Sequence, residues 1–160
     1  MEIREASAAD GDAIWAMLEP VFRAGDTYAV DPAIGREAAL GYWLAERAYL
    51  ACDRDGPLGT YYIQRNRPGG GAHYCNCGFV TAPAARGRGI ARAMLADALA
   101  RAAALGFEGM VFNFVVASNS RALALWRGHG FEEVGRVPGA FRTPAGEKVD
   151  ALILFRPLER

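Results

Sequence analysis

The chain has 160 residues, of which 52% are hydrophobic and 22% charged, enough apolar material for a buried core and too little charge density for disorder. Its 18 basic and 18 acidic residues cancel, which argues against a dedicated nucleic-acid-binding domain, because phosphate contacts need a basic excess.

In chain order, residues 2–6 alternate as a short strand. Ser7, with Asp10 three positions on, opens a helix in a capping-box arrangement. Ile14, Trp15, Met17, Leu18, Val21 and Phe22 form its apolar face, and Gly25 ends it. Asp31-Pro32 reads as a second helix start, with the helix running to about Arg47. Strands are expected over residues 48–53 and 58–65 around the turn Asp55-Gly56-Pro57, and over 72–80 after a Gly-rich loop at 68–71. A long helix follows over residues 87–106. Residues 109–116 are a continuous apolar run broken by Asn113, as suits a buried central strand. A short helix at 118–128 and two late strands, 131–137 and 149–155, complete the order β-α-α-β-β-β-α-β-α-β-β. Such an order gives a mixed sheet carrying helices, in one domain over residues 1–160.

Cys52, Cys75 and Cys77 are odd in number and form no disulfide framework. Cys75 and Cys77 lack companion ligands at zinc spacing, so no metal is expected and the thiols read as inert. Ile90 to Leu105, the best candidate for a membrane span, is interrupted by Arg92, Asp97 and Arg101. With no leader-like N-terminus, the expectation is a cytoplasmic protein with no membrane or nucleic-acid partner.

The sharpest local signal is Arg86-Gly87-Arg88-Gly89-Ile90-Ala91, a glycine-rich turn between a strand and a helix. A helix N-terminus leaves backbone N–H groups unpaired and carries partial positive charge. Glycines let an anion approach, so the turn suits a phosphate or pyrophosphate, and Arg86 and Arg88 can add charge-assisted bonds. It is neither the Rossmann pattern nor a Walker P-loop.

This turn, matched as Arg86-x-x-Gly89-x-Ala91, resembles the pyrophosphate motif of the GNAT acyltransferase superfamily. Residues 119–131, an Asn, a helix, an aromatic and Gly130-Phe131, are similar to the second signature of that superfamily. The resemblance implies a mixed α/β (GNAT-like) fold: a central twisted sheet of six to seven strands, helices on both faces and a V-shaped cofactor cleft. It implies acetyl-CoA as cosubstrate, lying between the strands that end near Val80 and Val115. Phe79 and Val80 would offer backbone groups to the pantetheine, Arg86, Gly87, Arg88, Gly89, Ile90 and Ala91 would hold the pyrophosphate, and Asn119 would bond the pantetheine arm or orient the thioester. Family members commonly dimerise, and the apolar late strands are a surface on which two copies could pair. Residues 112–116 with Ser118-Asn119, and the Asn76 strand, also resemble the fungal acetyltransferases that act on proline analogues.

The family's acidic tyrosine falls at Trp126 here. An indole N–H donates a hydrogen bond but is no general acid, so Trp126 reads as a packing residue beside the cofactor. The strand over residues 72–80 carries no carboxylate. His73 is its only titratable base candidate, and a water chain is the stronger one. Asn76 and Asn113 are polar residues inside apolar strands, and buried amides need partners. Both are candidates for catalysis or for orienting substrate, with a bond to neighbouring backbone as the plain alternative. Tyr28 is a candidate lid residue over the acceptor. The expected function is transfer of acetyl to the amine of a small molecule, such as an amino acid or analogue. A protein or peptide N-acetyltransferase and a non-catalytic CoA-binding module are the alternatives.

Overall fold

The computed structural model describes residues 1–159. Its elements are β1 (Glu2–Glu5), α1 (Gly11–Ala24), α2 (Arg36–Trp43), β2 (Arg47–Asp53), β3 (Gly56–Arg65), β4 (Tyr74–Thr81), α3 (Ile90–Ala104), β5 (Gly109–Val116), α4 (Ser120–Gly128), β6 (Glu132–Arg142) and β7 (Lys148–Pro157). The strands form one seven-stranded mixed sheet in the order β1-β2-β3-β4-β5-β7-β6. Every neighbouring pair is antiparallel except β4 and β5.

Each face of the sheet carries two helices, because each helix has one apolar stripe to bury. Ile14, Met17, Leu18 and Phe22 of α1 join Ala39 and Trp43 of α2 against Leu50, Tyr62 and Val80. On the other face Ile90, Met94, Leu95 and Ala98 of α3 and Leu123 of α4 pack against Tyr61, Cys77, Met110 and Phe112. Burying each of the larger of these side chains is worth roughly 1.5–3 kcal/mol.

The second helix departs from expectation. It starts at Arg36 rather than Pro32 and ends at Trp43 rather than Arg47. Asp31 caps a turn instead: its Oδ1 accepts from Ala33 N at 2.8 Å and its carbonyl from Ile34 N at 2.9 Å. Arg23 pins that turn to the end of α1 by donating to the Pro32 and Ile34 carbonyls. Arg47 instead enters β2, opposite Ile63. The late hairpin is longer than its apolar residues indicate. Asp150 accepts from Gly139 N and from Arg136, which holds the Pro138-Gly139 stretch within β6.

The feature that makes a site is the β4–β5 contact. These parallel strands pair only at Tyr74↔Gly109 and Cys75↔Met110. From Asn76 onward they diverge. β5 also carries a bulge between Phe112 and Val115 in its register with β7, which increases local twist beside the opening.

Candidate active site

The diverging strands open a cavity of about 880 Å³ that runs from the first turn of α3 to the aromatic residues of α2 and β3. One end is the glycine turn. Gly87 and Gly89 both have φ of 77°, a left-handed conformation that costs other L-residues about 1–2 kcal/mol. A Cβ at either would meet nothing within 4 Å, so the backbone conformation, not crowding by the protein, calls for glycine. The N–H groups of Gly87, Gly89, Ile90, Ala91 and Arg92 have no backbone or side-chain acceptor among the described residues, the first helical bond being Ala93 N to Gly89 O at 3.1 Å. Together with the positive end of α3 they form a cradle for an anion. Arg86 and Arg92 line it. Arg88 does not: its side chain turns away to Asp53, 3.0 Å distant.

The wall of the V is β4. Tyr28 reaches through the sheet face to Phe79, whose N–H donates to the Tyr28 Oη at 2.9 Å and whose carbonyl accepts from it at 3.0 Å. Both Phe79 backbone groups therefore face the gap, as expected for a residue whose strand has lost its parallel neighbour. Strand alternation then turns those of Val80 toward β3, where Val80 sits opposite Thr60. Val80 itself is also in the lining of the cavity. Gly78 makes room for the tyrosines, since a Cβ there would lie 2.5 Å from Tyr62 Cε1 and 3.1 Å from Tyr28 Oη. Burial holds the Tyr28 hydroxyl well above the ordinary phenol range.

The opposite wall comes from α4. Asn119 caps it, its Oδ1 accepting from Ala122 N at 3.4 Å, and also lines the cavity. The Trp126 ring packs at a tilt against Phe79 and Phe112, with centroids 5.2 and 4.9 Å away. It is a wall residue, as its indole chemistry indicates.

The far end is polar and uncharged. Asn76 sits where pairing stops and replaces it: its Nδ2 donates to the Val111 carbonyl at 2.8 Å, and its Oδ1 accepts from Tyr62 at 3.0 Å. Tyr62 in turn bonds Tyr42 at 2.8 Å. Gln64 Nε2 donates to the Tyr42 carbonyl at 2.8 Å, and Asn113 Nδ2 to Asn66 Oδ1 at 2.7 Å. Asn76 and Asn113 thus meet at one end of the cavity, each bonded within the protein. His73 does not join them. It is exposed at the closed end of β4, its carbonyl tied to Glu108 N, and it stays outside the lining. The lining holds no histidine and no carboxylate among the described residues. Burial pushes the Cys77 thiol up, which disfavours its thiolate.

Residues 13–131 match the Acetyltransferase (GNAT) family. The chain belongs to that family. Over 97 residues it is 39% identical to N-acetyltransferase aca1 of Schizosaccharomyces pombe, a match that covers 60% of this chain and 46% of the yeast protein, about half its length. A GCN5-related N-acetyltransferase from Kribbella flavida superposes with a TM-score of 0.93 at 39% identity, over 98% of this chain and 97% of that one. A phosphinothricin acetyltransferase from Sinorhizobium meliloti, solved in complex with acetyl-CoA, superposes with a TM-score of 0.86 at 26% identity, over 98% of this chain and 88% of its own.

Several lining residues of this GNAT chain escape sequence reading. Arg92 carries a signal, since it stands in the first turn of the helix that the glycine turn opens. Arg121, likewise in the first turn of its helix, is similar. Tyr42, Tyr62 and Gln64 carry none, because their aromatic and polar neighbours in sequence are equally consistent with packing. Among the described residues no helix is long and apolar enough to cross a membrane, and no cluster of His, Cys, Asp and Glu could hold a metal ion.

Proposed function

We propose that the chain transfers the acetyl group of acetyl-CoA directly to the amine of a small molecule. One observation carries this reading: a single cavity joins a cradle of unpaired N–H groups and arginines to an uncharged polar end. The Arg86–Arg92 turn suits the pyrophosphate, the gap-facing groups of Phe79 suit the pantetheine amide, and Asn119 and Trp126 flank its path. The acetyl thioester supplies the electrophilic carbon. The acceptor nitrogen attacks it, the C–S bond breaks, the nitrogen loses a proton to water, and the thiolate takes one from water. Tyr28, Tyr42 and Tyr62 all have phenols held above their ordinary range by burial, so they stay protonated and leave the base role to solvent. The acetyl-CoA complex of the phosphinothricin acetyltransferase, an enzyme named for a small amine-bearing substrate, supports both halves of the reading.

The test is thiol release from acetyl-CoA across amino acids, proline analogues, polyamines and peptides, with calorimetry of acetyl-CoA on the same preparation. Turnover with free small amines is expected. Turnover with peptides alone would overturn the small-molecule assignment. Tight acetyl-CoA binding without turnover of any acceptor would replace the reading with that of a binding module.

A further inference from the structure

The hydrogen bonds at the uncharged end have a direction. The Val111 carbonyl can only accept, so Asn76 must present Nδ2 to it and Oδ1 to Tyr62. Oδ1 can only accept, so Tyr62 spends its one hydroxyl proton on Asn76, 3.0 Å away. Tyr62 then has only lone pairs left, so the 2.8 Å contact with Tyr42 must be donated by Tyr42. Tyr42 is thereby left with its proton spent and an oxygen lone pair unused, on a side chain that lines the cavity. Gln64 also lines the cavity and is held separately, its Nε2 donating to the Tyr42 main-chain carbonyl.

We propose that the Tyr42–Tyr62–Asn76 chain is a one-way hydrogen-bond relay whose open end, Tyr42 Oη, accepts the N–H of the acceptor amine and so aims the nitrogen lone pair at the thioester carbon. This rests on the acetyl-transfer reading of the cavity. The chain is a positioning device and not a proton path. It terminates on an amide that takes up no proton, so nothing delivered to Tyr42 can leave through it. The acceptor proton goes to solvent, and Tyr42 selects for acceptors that present an N–H at the reacting end.

The experiment takes the secondary amine of the panel with the highest turnover, together with its ether analogue in which oxygen replaces N–H, used as a competitive inhibitor. Tyr42→Phe keeps the ring and its packing against Tyr62, whose centroid lies 5.6 Å away. It is expected to raise KM for the amine about 3- to 10-fold, the size of one hydrogen bond. The acetyl-CoA Kd, the affinity for the ether and the shape of the pH–rate profile should all stay unchanged. Tyr62→Phe removes the acceptor of the Tyr42 proton, so Tyr42 turns to donate and the same KM rise is expected with Tyr42 intact. The double variant should be no worse than Tyr42→Phe alone, because both changes break one chain. An unchanged amine KM in Tyr42→Phe would overturn the chain, as would additive single effects. Loss of the acidic limb of the pH profile would make Tyr42 a base and overturn the dead end. A wild type that turns over no amine instead overturns the acetyl-transfer reading itself, which separates the two failures.

Discussion

The two ends of the cavity are built on opposite principles. At the α3 end the protein leaves its polar groups unsatisfied: the N–H groups of Gly87, Gly89, Ile90, Ala91 and Arg92 point outward with no acceptor, and Arg86 and Arg92 stand beside them. At the Tyr42 end each polar side chain is bonded within the protein, Tyr42 to Tyr62, Tyr62 to Asn76, Gln64 to the Tyr42 carbonyl and Asn113 to Asn66. An unsatisfied cradle at the surface costs little, since water serves it until a dianionic group arrives. A satisfied network holds its shape before any ligand enters, which is what discrimination between similar amines requires. Under the proposed function, the first end holds an invariant cosubstrate and the second chooses among acceptors.

That division is tested most harshly at the cradle. Replacing Gly87 and Gly89 together by alanine forces two L-residues into φ of 77°, or makes the turn abandon its shape. Each position carries about 1–2 kcal/mol of strain, about 2–4 kcal/mol for the pair, so acetyl-CoA affinity should fall about 30- to 800-fold. Calorimetry reads this directly. The KM for the acceptor amine should stay within about twofold, because no hydrogen bond of the Tyr42 network touches the turn.

The reciprocal test strikes the other end. Gly78→Ala places a methyl 2.5 Å from Tyr62 Cε1 and 3.1 Å from Tyr28 Oη, and overpacking of this kind costs about 1–3 kcal/mol. Thermal unfolding should show the loss. Because the strain falls on Tyr62, the acceptor KM should rise while the glycine cradle keeps its geometry.

How far each end was legible follows from how it is made. The cradle is contiguous, six residues at a strand-to-helix turn, and its glycines, arginines and helix start are all written side by side. The succession of seven strands and four helices was legible for the same reason, since apolar runs and turn residues are local signals, whereas the V was implied only by the family resemblance. The Tyr42 network is assembled from α2, β3, β4 and β5, and its members are ordinary strand and helix residues until the sheet brings them together. Asn76 and Asn113 stood out because an amide inside an apolar strand needs a partner. Which partner, a backbone carbonyl where β4 leaves β5, depended on where the pairing stops. Arg88 and Val80 show the same dependence on placement. Composition does not say that Asp53 waits across the turn for Arg88, nor which way a strand residue aims its N–H.

Tyr28 joins the two ends, and its removal makes a smaller but sharper test. Its hydroxyl holds both gap-facing groups of Phe79, the groups assigned to the pantetheine. Tyr28→Phe should lower the stability of the free protein by about 1–2 kcal/mol, for the hydrogen bonds lost. If the pantetheine takes the same groups, acetyl-CoA then repairs the defect, and the rise in Tm on adding it should exceed that of the wild type. An equal rise in both would mean that Tyr28 and the cosubstrate do not share Phe79.

The smallest expected effects separate the ends by charge alone. Arg86, Arg92 and Arg121 are the charged residues of the lining, so acetyl-CoA affinity should weaken a few-fold between roughly 0.05 and 0.5 M salt as their field is screened. The amine KM should not follow, since neutral phenols and amides are indifferent to ionic strength. pH divides them in the same way. With burial holding the phenols of Tyr28, Tyr42 and Tyr62 above their usual range, none of them ionises between about pH 6 and pH 9. Activity across that window should rise with a single slope set by the acceptor's own amine, and changing to an amine of lower pKa should move the whole profile toward acid. A profile that stays fixed when the amine is changed would place a titrating group of the protein at the acceptor end, where the lining has neither histidine nor carboxylate.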